Sequence, residues 1–524
     1  MKNSSGKYWF LILWSVIGLI NTLTMPYYFY AGDAVVQKTD GFNLLRSHQI
    51  GSDPKKLTSP RFDVSTTHPN QYFIYNSRTG RFVSRWGIPT SVIMALPEIF
   101  TFSYPKNSVT MQLSSILAHN IFNILLSILF ASYIFYLSTI FAQAALSCSS
   151  SASSRHPSPR PQNIFLARLL GMILTLATCY ASFTWNYLRA QSYDLWQLVL
   201  FTIFITHYAK AMAYLPGDKK DNDFPHLGIA VISLCILVLI KELYGLIFFV
   251  ILLHLGRGPS KVPRKTYFWW IALGALLLVL IAVLNYWAYD TIFLGRSRLH
   301  HNPSSQEAFW GLQFFWPRLK DYLFSLNWSV WANFPLLIFA GCGFKAAYPH
   351  FKRFLQFILL CLGLFSIFFL GYYTRGEWCY GPRFYLFILP VLSLPAMFTF
   401  VRICTLPKKW AVPITIILLT GTGLNVYGQC LINEREFFTS YSMSSIWEMY
   451  QLKSKYFDER PRILVMDDLQ RMFYHLEDNP LLRQIQAENL SYGQKLEMLN
   501  EMLKKYFSYH RNYRLWPDKR PANL

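Results

Sequence analysis

Long apolar runs separated by short polar joints dominate this sequence. The runs fall at 8–23, 113–139, 164–183, 195–211, 227–240, 243–255, 267–287, 331–344, 355–370, 384–401 and 412–426. Most approach the length a helix needs to cross a bilayer, and none carries the alternate-residue pattern of a half-buried strand. In lipid only helices and closed barrels satisfy their own backbone groups. The pattern therefore predicts an all-α, polytopic transmembrane protein of about eleven spans, with 227–240 and 243–255 counted as two. The run 88–100 is too short to cross and contains Pro89, Pro97 and Glu98, which predicts an interfacial or re-entrant helix.

Between the first and second spans lies a long polar loop, 25–112. The segment 147–162, rich in Ser, Pro and Arg, reads as a flexible joint. Two parts follow: a membrane domain over 1–430 and a charged tail over 431–524. The tail has one strand-like run at 462–466 and helical periodicity near 490–506, which suits either a small cap or an appendage.

The chain of 524 residues is 53% hydrophobic and only 15% charged, with a net charge of +22. In a soluble protein that charge would suggest nucleic acid, but here much of it occupies alternate joints. Arg155, Arg160 and Arg168 lie at one joint, Lys210, Lys219 and Lys220 at the next. The series continues with Arg257, Lys261, Arg264 and Lys265, then Lys345, Lys352 and Arg353, then Arg402, Lys408 and Lys409. The positive-inside rule makes these joints cytoplasmic, along with an N-terminus carrying Lys2 and Lys7 on a retained anchor. The 25–112 loop, 185–194, Lys241-Glu242, 290–329, 372–383 and the tail then share the opposite face. Eight scattered cysteines with no C-x-x-C pair define neither a zinc site nor a disulfide framework, and adjacent His300 and His301 lack ligand geometry.

Candidate chemistry lies on that opposite face. Asp33 follows the aromatic collar Tyr27-Tyr28-Phe29-Tyr30, where loss of water would raise a carboxylate pKa toward general-base work; a solvated loop aspartate is the plain alternative. Arg85 stands in Ser84-Arg85-Trp86-Gly87-Ile88-Pro89, and its planar fork suits phosphate, as snorkelling at a helix end also would suit it. Lys241 is either half of a membrane-edge turn or a holder of an anionic headgroup. Asp194 opens a span and complements its dipole. Arg375, Glu377, Trp378, Tyr380 and Arg383 crowd one Gly- and Pro-broken hairpin, where charged groups at a membrane boundary need partners or a function.

Taken together, the Gly32-Asp33 opening, the Ser84–Pro89 return, Ala190-Gln191-Ser192-Tyr193-Asp194 and Gly376-Glu377-Trp378-Cys379-Tyr380-Gly381-Pro382-Arg383 carry a resemblance. The chain resembles bacterial membrane glycosyltransferases of the GT-C fold, the protein O-mannosyltransferase and aminoarabinose transferase group, over roughly residues 8–401. The resemblance implies inverting transfer of a sugar from a polyprenyl-phosphate lipid to an acceptor glycan, lipid or protein on the outer face of a bacterial inner membrane. It implies Asp33 as general base, and Arg85, Lys241 and Arg383 around the donor phosphate. No cofactor is required, and a divalent metal is compatible but not demanded.

Two departures from the family pattern stand out. Asp33 is followed by Ala34 and Val35, where relatives carry a second acid, so Asp40 shares or takes the base role as an open alternative; Asp194 stands where relatives have glutamate or histidine. A carrier or flippase of a lipid-linked sugar, or a non-catalytic binding subunit, are the rival readings, although no internal repeat supports a carrier.

Overall fold

A computed structural model describes residues 4–24, 37–51, 73–101, 109–150, 161–189, 192–215, 224–256, 264–290, 310–325, 329–372, 382–405 and 412–416, except positions 39, 42, 46, 47, 85, 414 and 415. The described chain is helical apart from one two-stranded hairpin. Helix α1 spans Ser4–Thr24, and a short helical stretch follows between 37 and 45. Strands β1 (Phe73–Asn76) and β2 (Arg81–Ser84) lead into α2 (Ile88–Ala95). The bundle continues with α3 (Val109–Ser150), α4 (Pro161–Tyr180), α5 (Thr184–Arg189), α6 (Tyr193–Ala211), α7 (Phe224–Ile240), α8 (Leu246–Gly256) and α9 (Arg264–Tyr289). It closes with α10 (Phe315–Phe324), α11 (Val330–Asn333), α12 (Leu336–Gly371), α13 (Leu389–Leu392) and α14 (Ala396–Thr405).

Among the described residues, four helices are long and apolar enough to cross a membrane: Leu117–Cys148, Asn163–Tyr180, Phe268–Tyr289 and Leu336–Gly371. Helix α9 has only 17% of its apolar window buried, with Phe268, Trp269, Leu276, Leu278 and Val279 facing outward. A surface of that kind suits hydrocarbon and not water. Shorter apolar helices cover Lys7–Leu23, Pro225–Ile240, Glu242–Leu255 and Leu389–Cys404.

Several boundaries differ from the sequence reading for local reasons. The α3 helix runs on to Ser150, into the expected flexible joint. The run expected at 331–344 starts in α11 and, from Leu336, shares one helical stretch, α12, with the run expected at 355–370, bent where Phe351 leaves helical geometry (φ −124°, ψ 28°) two residues after Pro349. Proline has no N–H for the carbonyl four residues earlier, so the helix bends there without needing a loop. Phe351 then stacks flat on Phe141 of α3 at 3.7 Å and fills the bend. The run expected at 384–401 is divided into a 3₁₀ turn, α13 and α14 by Pro390 and Pro395. The short run after Gly87 does form a non-spanning helix, but its Ile88, Thr90, Ser91, Met94 and Ala95 are buried against the bundle. Most of the run 412–426 and the whole tail lie outside the described residues.

Close packing of α3 on α4 depends on a glycine. A Cβ at Gly171 would sit 2.7 Å from Thr139 Oγ1 and 3.2 Å from its backbone nitrogen, so the missing side chain lets the two axes approach. Hydroxyls inside these helices donate back to their own turns, as Thr139 does to Phe135 O (2.8 Å) and Thr175 to Gly171 O (2.7 Å). That leaves few polar groups turned toward lipid or core.

The hairpin was not expected from the sequence. Phe73 pairs with Ser84 and Asn76 with Arg81. Asn76 Oδ1 accepts from the N–H groups of Arg78 (3.0 Å) and Thr79 (3.1 Å), closing the turn as an Asx motif. Its amide nitrogen donates to Ala288 O (2.9 Å) and Trp287 O (3.1 Å), which ties the turn to the end of α9.

Candidate functional site

The C-terminal ends of α7 and α9 and the N-terminal end of α6 meet at one end of the bundle, and Asp194, Lys241 and Arg383 gather there. Ser192 caps α6, its hydroxyl accepting from Asp194 N at 3.3 Å. The cap places Asp194 in the first turn, where the helix dipole favours its charge. One carboxylate oxygen accepts from Gln197 Nε2 (3.4 Å), and Gln197 Oε1 accepts from the Tyr244 hydroxyl (2.9 Å). The other oxygen lies 3.9 Å from an Arg383 guanidinium nitrogen, and both side chains are largely buried.

Lys241 interrupts what would otherwise be one apolar run. It is extended (φ −149°, ψ 108°) between α7 and a 3₁₀ turn, Glu242–Gly245. Its ammonium lies 5.3 Å from the ring centroid of Phe384, and the Arg383 guanidinium lies 5.9 Å from the same ring. Phe384 is held by stacking on Phe369 at 5.1 Å and by an edge contact with Tyr372 at 5.7 Å. Lys241 and Arg383 therefore flank one aromatic ring, and Asp194 joins them through its pair with Arg383, although the three lie far apart in the chain. Glu242 accepts from Asn285 Nδ2 of α9 at 3.2 Å.

Asp40 occupies a different place. Only 4% exposed, its carboxylate accepts a hydrogen bond from the backbone N–H of Ser84, while Ser84 O accepts from the Tyr289 hydroxyl at 2.7 Å. Asp40 thus fixes the residue immediately before Arg85. Helix α2 then carries the chain to the Lys241 turn, where Thr90 Oγ1 donates to Ile240 O at 2.9 Å. Asp33, Arg85, Arg375, Glu377, Trp378 and Tyr380 lie outside the described residues.

Gly87 makes this return possible. Its φ of 86° and ψ of 161° belong to a region open essentially to glycine alone. Gly87→Ala is expected to destabilise the fold by about 1–3 kcal/mol. Thermal unfolding of the purified variant checks this, and an unchanged midpoint would rule out the strain.

Sequence reasoning missed Gln197, Tyr244 and Phe384. Gln197 stands three residues after Asp194 and Tyr244 three after Lys241, spacings that place each on the face of its neighbour. Among the described residues no group of three or more His, Cys, Asp or Glu side chains lies close enough to hold a metal ion. No family model, curated protein or solved structure matches this chain.

Proposed function

We propose that this chain is an inverting glycosyltransferase of the GT-C kind. It is a polytopic protein of about eleven spans in a bacterial inner membrane, taking a sugar from a polyprenyl phosphate at the outer face. The observation that carries the reading is the approach of Lys241 and Arg383 to Phe384, with Asp194 paired to Arg383. Two cations held on a buried aromatic platform suit a phosphate whose negative charge grows as the sugar departs.

In the reaction, the acceptor hydroxyl attacks the anomeric carbon and passes its proton to Asp33. The bond from that carbon to the phosphate oxygen breaks, and polyprenyl phosphate leaves with the electron pair. Phosphate needs no protonation to leave, so no second acid is required. Asp40 is a positioning residue for Arg85 in this scheme, because its carboxylate is already engaged by Ser84. Arg383 and Lys241 stabilise the phosphate more strongly in the transition state than in the ground state.

The test is transfer of labelled sugar from a polyprenyl-phosphate donor to membrane acceptors by the reconstituted full chain. Lys241→Met is expected to lower kcat/KM for the donor about tenfold, equivalent to about 1.4 kcal/mol of lost stabilisation. Donor binding without transfer by the native chain would overturn the enzymatic reading in favour of a carrier or a binding subunit.

A further inference from the structure

Helix α10 and the 3₁₀ turn before it, Leu312–Phe314, are apolar on both sides. On the side turned toward the protein Phe315, Leu319 and Tyr322 pack on the core beside one cation. Arg318 is buried, its Nε donates to Tyr372 O at 3.4 Å, and its guanidinium pairs with Asp321 at 3.6 Å. Tyr322 is buried with its ring edge-on to Tyr385 at 5.0 Å. The outward side is apolar: Leu312 is 74% exposed, Trp316 73% and Phe324 77%. Lys320 is exposed on the same stripe, so 312, 316, 320 and 324 recur every fourth residue as Leu, Trp, Lys and Phe.

We infer that α10 lies in the headgroup layer of the bilayer, with this stripe inserted at the boundary between headgroups and acyl chains. Three observations favour lipid over a protein partner. The stripe joins large apolar and aromatic side chains to one lysine, whose long stem lets its charge reach the phosphates while its neighbours stay in hydrocarbon. The helix is fastened to the end of α12, one of the four helices long enough to cross a membrane. Gly311 N donates to Gly371 O at 2.9 Å and Trp310 Nε1 to Phe368 O at 3.1 Å. Its apolar surface also continues that of α12, where Ile367 faces outward one turn before the end.

The assignment stands apart from any transfer chemistry. Its consequence is a fixed depth: through Arg318 on Tyr372 and Tyr322 on Tyr385, α10 holds the Phe384 platform and its two cations at the level of lipid phosphates.

The experiment places an environment-sensitive fluorescent amino acid at position 316 of the full chain, in vesicles of phosphatidylcholine and phosphatidylglycerol. Controls carry it at 77, exposed on the hairpin turn, or at 278, exposed within α9. Nitroxide lipids labelled near the glycerol are expected to quench position 316 more than those labelled deep in the chain, with iodide at least about threefold weaker there than at 77. Position 278 is expected to show the opposite depth preference. Iodide quenching at 316 equal to that at 77 would overturn the proposal, as would failure of every quencher, since protein would then cover the stripe. In the Leu312→Glu, Phe324→Glu background the 316 signal is expected to shift toward iodide access with helicity unchanged. Persistence of the lipid signal would show that the stripe does not hold the helix in place.

Discussion

Asp33→Asn is expected to lower sugar transfer about a thousandfold while leaving donor binding within about twofold, because the amide keeps the shape of the carboxylate and cannot take the proton. The comparison that gives this force is Asp40→Asn. An asparagine oxygen at position 40 still accepts from the Ser84 N–H, so that variant keeps the return in place and is expected to retain most of its activity. Asp40→Ala removes the acceptor and leaves a buried N–H without it, at about 2 kcal/mol. Transfer rates and unfolding midpoints for the three variants separate the roles. Loss of transfer in Asp40→Asn with survival in Asp33→Asn would exchange the base for the positioning residue.

Arg383→Met is expected to have the second largest effect. The guanidinium and Asp194 form a largely buried pair, and removing one partner strands the other charge. The expected destabilisation is about 3 kcal/mol, toward the low end for broken buried pairs because Ser192 and Gln197 still hold the carboxylate. Transfer is expected to fall along with it. Asp194→Leu added to Arg383→Met restores an apolar pair of similar volume, which is expected to recover most of the stability but none of the transfer. Chemical unfolding in detergent, read beside donor binding, distinguishes the two losses. A single variant as stable as the native chain would mean that the pair contributes nothing to the fold.

Much of the bundle was legible because its determinants are local. Runs of apolar residues announced α4, α6, α7 and α9, and Lys241 correctly divided α7 from α8 because a charged residue between two apolar runs ends both. The proline breaks were legible as residues but not as geometry. The stretch 345–353 read as a basic joint between two runs, and the structure makes it a bend within α12, filled by Phe351 stacked on Phe141. The hairpin escaped notice because four-residue strands give little periodicity, and its stability comes from Asn76 reaching carbonyls of α9 more than two hundred residues away.

The candidate site divides in the same way. Asp194, Lys241 and Arg383 were legible singly, as charges at the ends of apolar runs. The approach of Lys241 and Arg383 to Phe384 and the pairing of Asp194 with Arg383 were not, since they depend on distant segments packing together. Asp40 illustrates the limit most clearly: the resemblance offered it as sharing or taking the base role, and its bond to the Ser84 N–H was not legible in the sequence.

The helices on either side of Lys241 are short, 17 residues in α7 and 11 in α8. At about 1.5 Å per residue they measure roughly 25 Å and 17 Å, against about 30 Å of hydrocarbon in a typical bilayer. Such hydrophobic mismatch is relieved by local thinning of the membrane. A lipid-linked donor raised out of its leaflet would expose its tail at about 0.8 kcal/mol per methylene. Where the bilayer meets the protein thinner, the lipid phosphate already lies lower, so the donor proposed above would reach Lys241 by lateral diffusion with its tail still in hydrocarbon.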